Sequence, residues 1–231
     1  GYVVVGLKKL FSYLPQSFEG LKPTLLYPLC GTLIVGLLMI FVVNTPIAFV
    51  MDGLMNFLNG LSGANAVVLG LILGGMMAID MGGPFNKTAF AFGIAMAASD
   101  NFAPQAATMI GGMVPPLGLA LATTFFKNKF TQAERESGKT NYIMGLSFIT
   151  EGAIPFAAAD PIRVIVSCII GSALAGGLAL FFGCASQAPH GGIFVIWAIS
   201  NPVMYVVSLL IGSIVTALLV GFWKKPVAER V

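Results

Sequence analysis

The hydrophobic residues of this chain are gathered into long segments that are separated by short polar breaks. The segments cover residues 24–43, 63–79, 88–99, 106–126, 162–183 and 202–223. Apolar residues run through them without alternating, which is typical of membrane helices and not of barrel strands. A helix of about 20 residues crosses the ~30 Å hydrocarbon core of a bilayer. The pattern therefore predicts an all-α integral membrane protein with about six transmembrane helices.

Two apolar stretches are too short to cross a membrane and indicate re-entrant hairpins. As a helix, residues 88–99 cover only ~18 Å, so they form either a tilted span or half of a hairpin. Residues 141–149 reach only about halfway across the bilayer, and Pro155 is expected to stop the helix because it lacks an amide proton. We predict that residues 140–160 enter from the cytoplasm as a hairpin with Glu151 at its tip.

The polar residues of 47–61 lie on one side of a predicted helix. Asp52, Asn56 and Asn59 recur at helical spacing, which indicates an amphipathic helix at the membrane interface or along a partner. An ordinary connecting helix explains the pattern equally well. The stretch Asn44-Thr45-Pro46 is expected to end the span that comes before this helix.

Composition strengthens the membrane assignment and adds an orientation. Only 9% of the 231 residues are charged, against about 25% in soluble domains, and the mean hydropathy is +0.92. The net charge of +3 indicates an asymmetry between loops rather than a nucleic-acid surface. Bases are concentrated in residues 127–140 and again at Lys224, Lys225 and Arg230. The positive-inside rule places both regions in the cytoplasm.

The sequence gives no support to several chemistries. Cys30, Cys168 and Cys184 lie in apolar runs without paired spacing, which indicates free thiols packed as small hydrophobic residues. The single histidine and the lack of a Cys/His cluster argue against a metal site. Without a Gly-Lys-Ser/Thr phosphate loop, ATP hydrolysis is not expected, nor is any cofactor. The chain begins at Gly1 with what resembles the tail of a membrane helix, so we expect earlier spans in a longer protein.

Three polar breaks interrupt the apolar sequence, at residues 80–87, at residues 151–163 and around His190. A charge at the centre of a lipid-facing helix costs about 2.5–3.5 kcal/mol on insertion scales. Irregular backbone at membrane depth occurs only where protein or a water-filled cavity covers it. The breaks therefore predict a polar site inside the membrane, built on interrupted helices that suit a polyhydroxylated ligand or an ion.

Glu151 and His190 are the leading candidates for this site. Glu151 can accept hydrogen bonds from ligand hydroxyls or act as a base, or it can instead pair with Lys87 or Arg163 to hold two hairpins together. His190 can bond a ligand hydroxyl, or it can be a core histidine that satisfies freed backbone groups.

For the other polar residues of the breaks, a purely structural role is as well supported as a role in the site, or better. Asp160 and Arg163 lie beside prolines, where a local cap or ion pair is the more common role. Asn86 and Lys87 follow Gly-Gly-Pro, so they either line the same cavity or form a turn at the cytoplasmic edge.

Four motifs carry a resemblance to a known family. The chain resembles the fructose family of enzyme IIC, the membrane component of the bacterial phosphoenolpyruvate-dependent sugar phosphotransferase system. The likeness extends over nearly the whole chain, apart from N-terminal spans that precede it in the family. Its motifs are DMGGPFNK (80–87), MVPPLG (113–118), GLSFITEGAIPFAAADPIR (145–163) and APHGGIF (188–194).

The resemblance implies sugar uptake by group translocation in the bacterial inner membrane. Fructose, or a related hexose or hexitol, would bind in a membrane pocket and be phosphorylated at the cytoplasmic side by a phosphocysteine of enzyme IIB. It further implies a homodimer, an enzyme IIA partner, and phosphoryl-carrying residues outside this chain. Residues 1–62 would belong to a scaffold or dimerisation region and residues 63–231 to the sugar-binding transport region.

The resemblance also implies a set of site residues. Glu151 and His190 match the positions that contact the sugar in the wider superfamily. The substrate-binding candidates are Glu151, His190, Thr150, Asn86 and Asp80, and the supporting candidates are Lys87, Asp160, Arg163, Gly152 and Gly191.

Two other functions remain as alternatives at this point. One is an ion-coupled secondary sugar transporter with Glu151 and Asp80 as proton or sodium sites. The other is a non-transporting membrane anchor or sensor, which would tolerate the Glu151→Gln substitution. They differ from group translocation in needing no phosphoryl donor.

Overall fold

A computed structural model describes residues 2–61 and 66–227, and these residues are predominantly helical. The start of the predicted segment 63–79 and the predicted cytoplasmic Arg230 lie outside the described residues. One pair of two-residue strands, β1 (Ala185–Ser186) and β2 (Ile199–Ser200), is antiparallel. The α-helices are α1 (Tyr2–Phe11), α2 (Tyr27–Leu38), α3 (Asn44–Leu61), α4 (Ala66–Ile79), α5 (Pro84–Ala97), α6 (Ala103–Phe125), α7 (Gln132–Leu146), α8 (Ile154–Ala159), α9 (Pro161–Phe181) and α10 (Pro202–Trp223).

Among the described residues, four helices are long and apolar enough to cross a membrane, which confirms the predicted all-α membrane protein. Three of them, α6, α9 and α10, coincide within a few residues with predicted spans. The fourth runs from Lys22 to Gly60 and includes the predicted span 24–43. The predicted segments 63–79 and 88–99 correspond to the 14-residue helices α4 and α5, which cover about 21 Å each.

The chain divides into two compact units, Gly1–Asp52 and Gly53–Val231. In the first unit α1 packs on α2. The rings of Phe11 and Tyr27 stack with centroids 5.9 Å apart, and Leu7 is buried. Few other residues of this unit are buried, so its helices present mostly apolar side chains outward.

The prediction that Pro46 ends a span is wrong, because the helix continues through it from Lys22 to Gly60. Residues Met39–Val43 form a widened π-helical turn, in which the backbone N–H of Asn44 donates to the carbonyl of Met39. In a regular α-helix the proline ring clashes with the carbonyl four residues earlier. The wider turn moves that carbonyl away, so the helix accommodates the ring.

Glycines bring α4 and α9 into close contact in the second unit. A Cβ atom on Gly70 would lie 2.5 Å from the carbonyl oxygen of Gly176, so neither position accepts a larger residue. Gly74 lies against Ser172 in the same way, one turn further along, which makes the two helices antiparallel. Close backbone approach at small residues is the usual way in which helices associate in lipid.

Helix α6 forms the centre of the second unit. It contacts α4, α5, α7, α9 and α10, and 94% of its most apolar stretch is buried. The helix continues through Pro115 and Pro116, as the predicted span requires. Besides α9 and α10, two helical hairpins pack against α6, one near its start and one near its end.

The first hairpin consists of α4 and α5. Its open end lies at the start of α6, where Gly93 packs against Gln105. Closer to its turn, Gly74 of α4 packs against Gly111 in the middle of α6. The stretch 88–99 thus belongs to a hairpin, one of the two arrangements that its length predicts.

The second hairpin consists of α7 and α8, and it matches the hairpin predicted for residues 140–160. Gly138 packs on Thr123 near the end of α6, and Thr150 bonds the carbonyl of Gly112 near its middle. The predicted helix end at Pro155 is wrong: α7 ends at Leu146, and Pro155 lies in the first turn of α8. Proline is tolerated there because first-turn amides have no partner within the helix.

Candidate functional site

The turns of the two hairpins meet around a small cavity of about 60 Å³. Four of the five substrate-binding candidates and the supporting candidate Lys87 lie in its wall. The lining residues are Met77, Asn86, Lys87, Phe90, Phe148, Thr150, Glu151 and His190.

Backbone interactions fix the turn that carries Glu151. The hydroxyl of Thr150 donates to the carbonyl of Gly112 over 2.9 Å, and Asn141 Nδ2 donates to the carbonyl of Gly152 over 3.0 Å. Phe148 has a φ of 64°, a left-handed conformation that is uncommon for a large side chain. These bonds and the sharp turn direct Glu151 toward the first hairpin. Gly152 therefore contributes through its carbonyl and does not line the cavity.

Gly82 in the first hairpin makes room for the Glu151 carboxylate. Its φ is 125°, and a Cβ atom at this position would lie 2.9 Å from Oε1 of Glu151. Glycine adopts this backbone conformation without strain, whereas other residues rarely do. The glycine-rich break at 80–87 thus permits the two turns to touch.

The ion pair between Glu151 and Lys87 is present but weak. The two side chains lie 3.8 Å apart and are about half exposed. An exposed pair of this kind contributes about 0–1 kcal/mol. Neither carboxylate oxygen of Glu151 accepts a hydrogen bond from the residues that the structure describes. The carboxylate thus retains most of its capacity to accept hydrogen bonds from a ligand.

His190 also lies in the wall, against two aromatic rings. Its ring centroid is 4.7 Å from that of Phe148 and 6.4 Å from that of Phe90. Neither imidazole nitrogen bonds to any of the described residues. The alternative of a core histidine bonded to freed backbone is therefore not seen in this part of the chain.

One short hydrogen bond and two glycine conformations define the loop that carries His190. Gln105 Nε2 at the start of α6 donates to the carbonyl of Pro189 over 2.6 Å. Gly191 and Gly192 have φ angles of 120° and 59°, which favour glycine. Gly191 thus shapes the loop beside His190 without lining the cavity.

Asp80 lies beside the cavity but not in its wall. Its two carboxylate oxygens accept the backbone N–H groups of Phe85 (2.7 Å) and Asn86 (3.0 Å), so it caps the start of α5. Asn86 is buried, and its Nδ2 donates to the carbonyl of Met77 over 2.7 Å. Asp80 therefore organises the turn that presents Asn86 and Lys87.

Asp160 and Arg163 lie away from the cavity. The guanidinium of Arg163 donates to both carboxylate oxygens of Asp160, at 3.1 and 3.2 Å, at the start of α9. Both residues adjoin Trp223 at the end of α10. The local ion pair that the sequence offered as an alternative is the arrangement found.

Sequence reasoning missed three lining residues, Met77, Phe90 and Phe148. All three lie in apolar runs, where a residue facing a cavity looks the same as one facing lipid. Phe90 is the easiest of the three to predict from the sequence, because it lies four residues after Asn86 on α5 and so shares its helical face.

Together, these features define a class of protein: a multi-pass helical membrane protein with a polar ligand cavity between two interrupted helical hairpins. Comparison with known proteins then places the chain within that class. A family model described as "Phosphotransferase system, EIIC" matches residues 2–172. The chain belongs to this family, and it is accordingly a multi-pass protein of the inner membrane.

Curated relatives match along the whole chain. It is 60% identical over 230 residues to the "PTS system fructose-specific EIIABC component" of Bacillus subtilis, covering 100% of this chain and 36% of that protein. The identity is also 60% to the "Fructose permease IIC component" of Bacillus amyloliquefaciens, of which 75% is covered. A "PTS system fructose-specific EIIB'BC component" of Escherichia coli is 48% identical over 94% of this chain and 39% of its own length. No solved structure matches the chain.

Proposed function

We propose that this chain is the sugar-binding membrane part of a fructose phosphotransferase system. It binds fructose or a closely related sugar in the cavity and presents it for phosphorylation at the cytoplasmic side. The names of its relatives supply the sugar, since each of the three compared is described as a fructose component or permease. The chain spans only about a third of the B. subtilis relative, so partner domains complete the reaction.

The observation that carries the proposal is the shared cavity of Glu151 and His190. The side chain of Glu151 comes from the turn of the second hairpin and that of His190 from the loop between β1 and β2. Both line one small space, and neither is hydrogen-bonded to the described protein. A sugar hydroxyl donates to the Glu151 carboxylate, and a second exchanges a hydrogen bond with the imidazole of His190. This arrangement leaves further hydroxyls free to react.

The aromatic wall supplies the apolar part of sugar recognition. The C–H groups on one face of the sugar pack against Phe90 and Phe148, whose centroids are 6.0 Å apart. Pockets for small polar ligands commonly combine such apolar walls with a few placed polar groups. Lys87, at the edge, donates a further hydrogen bond and balances the charge of Glu151.

The chemical step needs little from this chain beyond positioning. Phosphoryl transfer from a phosphocysteine of enzyme IIB to a sugar hydroxyl is an in-line displacement, for which alignment and charge stabilisation supply most of the acceleration. The S–P bond breaks as the new O–P bond forms, and the hydroxyl proton is released. The product is a phosphate dianion that cannot return across an apolar barrier, which makes uptake one-way.

In the same proposal, the two regions of the chain have different roles. Every residue that lines the cavity belongs to the compact unit Gly53–Val231. This supports residues 63–231 as the transport region. The sparse burial in the first unit supports a scaffold role for residues 1–62, in which its apolar helices are covered by a second copy in a homodimer.

Uptake by vesicles that contain the full-length protein tests this function. Labelled fructose is supplied with and without phosphoenolpyruvate and the soluble phosphotransferase partners. We expect sugar phosphate to accumulate only when both are present. Accumulation of unmodified sugar under an ion gradient would contradict the proposal and favour a secondary transporter. Absence of sugar binding would favour an anchor or sensor.

A further inference from the structure

A second polar pocket lies where α6 ends and α7 begins, in the region that the positive-inside rule places in the cytoplasm. It has a volume of about 330 Å³ and is lined by three bases, Lys127, Arg135 and Lys139, with one acid, Glu136. Thr124, on the same wall, lies about 18 Å along α6 from Gly112 at the sugar cavity. This basic pocket is therefore separate from the sugar site.

Two of the three bases lack a carboxylate partner. The Lys139 ammonium contacts both oxygens of Glu136, at 2.8 and 2.9 Å. Arg135 instead donates to the neutral side chain of Gln132 over 2.6 Å. Within residues 2–61 and 66–227, neither Arg135 nor Lys127 forms an ion pair. The pocket thus carries positive charge that the described protein does not neutralise.

Arg135 also has a donor without an acceptor. Its Nε atom is buried and has no hydrogen-bond partner among the described residues. Buried donors are normally satisfied by a protein or water partner. The guanidinium presents its donors in a planar fork that matches the oxygens of a phosphate group.

We propose that this basic pocket binds the phosphoryl oxyanion of a phosphate compound, with Arg135 and Lys127 as its principal ligands. A phosphate oxygen accepts from the Arg135 guanidinium, and the Lys127 ammonium neutralises the second charge. Two sources share this chemistry: the headgroup of an anionic phospholipid beside the end of α6, and a soluble phosphate. Basic pockets between membrane helices at the cytoplasmic side are suited to such groups.

The test measures phosphate binding directly and does not depend on sugar uptake. The full chain is reconstituted in zwitterionic nanodiscs and titrated with inorganic phosphate by calorimetry. In a second arm, native mass spectrometry counts phosphatidylglycerol molecules retained from mixed nanodiscs. The variants are Arg135→Gln and Lys127→Gln, and Lys9→Gln is the matched control because it removes one exposed base outside the pocket.

We expect saturable binding in at least one arm, weakened about tenfold or more by Arg135→Gln and by Lys127→Gln and unchanged by Lys9→Gln. A tenfold loss corresponds to about 1.4 kcal/mol. Binding in the first arm identifies a soluble phosphate as the source, and binding in the second identifies a lipid. Absence of binding in both arms, or equal losses for Lys9→Gln, would overturn the proposal.

Discussion

The Nζ atom of Lys87 lies 3.8 Å from Oε1 of Glu151, at the place where the turns of the two hairpins meet. The pair is too long and too exposed to fasten the hairpins together. It instead keeps a carboxylate and an ammonium facing one cavity, where both remain available to a ligand.

Lys87→Gln tests whether this pair is structural. We expect it to lower the free energy of unfolding by less than about 1 kcal/mol, because the pair is half exposed and screened by water. Lys139→Gln is a matched control, since it breaks another exposed pair, with Glu136. Chemical denaturation of the solubilised protein measures both. A loss of several kcal/mol for Lys87→Gln alone would indicate that the pair holds the hairpins together.

Gly82→Ala, in the first hairpin, is expected to disturb the position of the Glu151 carboxylate. The added Cβ atom would approach Glu151 Oε1 to 2.9 Å, and a φ of 125° is strained for alanine. The substitution should therefore displace the carboxylate and weaken sugar binding about tenfold or more. The control is Gly36→Ala, where a Cβ atom meets nothing within 4 Å. Equal sugar affinity in the two variants would show that Gly82 does not position Glu151.

Phe90→Leu probes the aromatic wall. It retains an apolar side chain but removes the flat ring, so we expect a loss of about 0.5–1.5 kcal/mol in sugar binding, or roughly two- to tenfold in affinity. Phe49→Leu is the control, because that ring is 80% exposed. Equilibrium binding of labelled fructose distinguishes them. An unchanged affinity for Phe90→Leu would remove the ring from the recognition surface.

Glu134→Gln is expected to be among the more destabilising single changes in the polar regions. Lys224 is fully buried, with its Nζ 3.1 Å from Glu134 Oε1 and 5.1 Å from the centre of the Phe130 ring. Removing the carboxylate leaves a buried ammonium without its ion-pair partner, which costs about 3–5 kcal/mol in typical buried pairs. Glu136→Gln, which breaks an exposed pair, should cost less than about 1 kcal/mol. Similar midpoints of denaturation for both variants would contradict this account.

The same ion pair gives a pH dependence with a defined sign. Burial of Glu134 opposes its ionisation, but hydrogen bonds from Thr131 and the interaction with Lys224 outweigh it and hold the pKa of the carboxyl below its ordinary value. Its contribution to stability is therefore complete above the ordinary pKa of 4.5 and is lost as the pH falls through the lowered pKa. In Glu134→Gln, this part of the acid-induced loss should be absent.

The sequence indicated candidate site residues where it places a polar residue in an apolar stretch, because burying such a residue in the membrane costs free energy. Glu151 and His190 stand out because polar groups at membrane depth require a reason, and both line the cavity. Asp80 stands out for the same reason, but its carboxylate caps α5. A capping carboxylate and a ligand-binding one are both found at glycine-rich helix breaks, so the sequence does not separate them.

The rest of the fold depended on features that local patterns do not express. Pro46 predicts a helix end, and the widened turn at Met39–Val43 allows the helix to continue. Phe90 and Phe148 face the cavity through tertiary packing, while their sequence context is simply apolar. Lys224 is buried through tertiary packing as well. From its sequence context, a lysine at the end of a membrane helix, it is ordinarily predicted to be an exposed cytoplasmic anchor.

The central claim is that the carboxylate at position 151 holds the sugar inside the membrane. Equilibrium binding of labelled fructose to reconstituted wild-type protein, Glu151→Gln and the control Glu136→Gln tests it most directly. Charge-assisted hydrogen bonds contribute about 1.5–3 kcal/mol, so Glu151→Gln should bind at least about tenfold more weakly while retaining the wild-type unfolding midpoint. Glu136→Gln should bind as the wild type does. Wild-type affinity in Glu151→Gln would contradict the account.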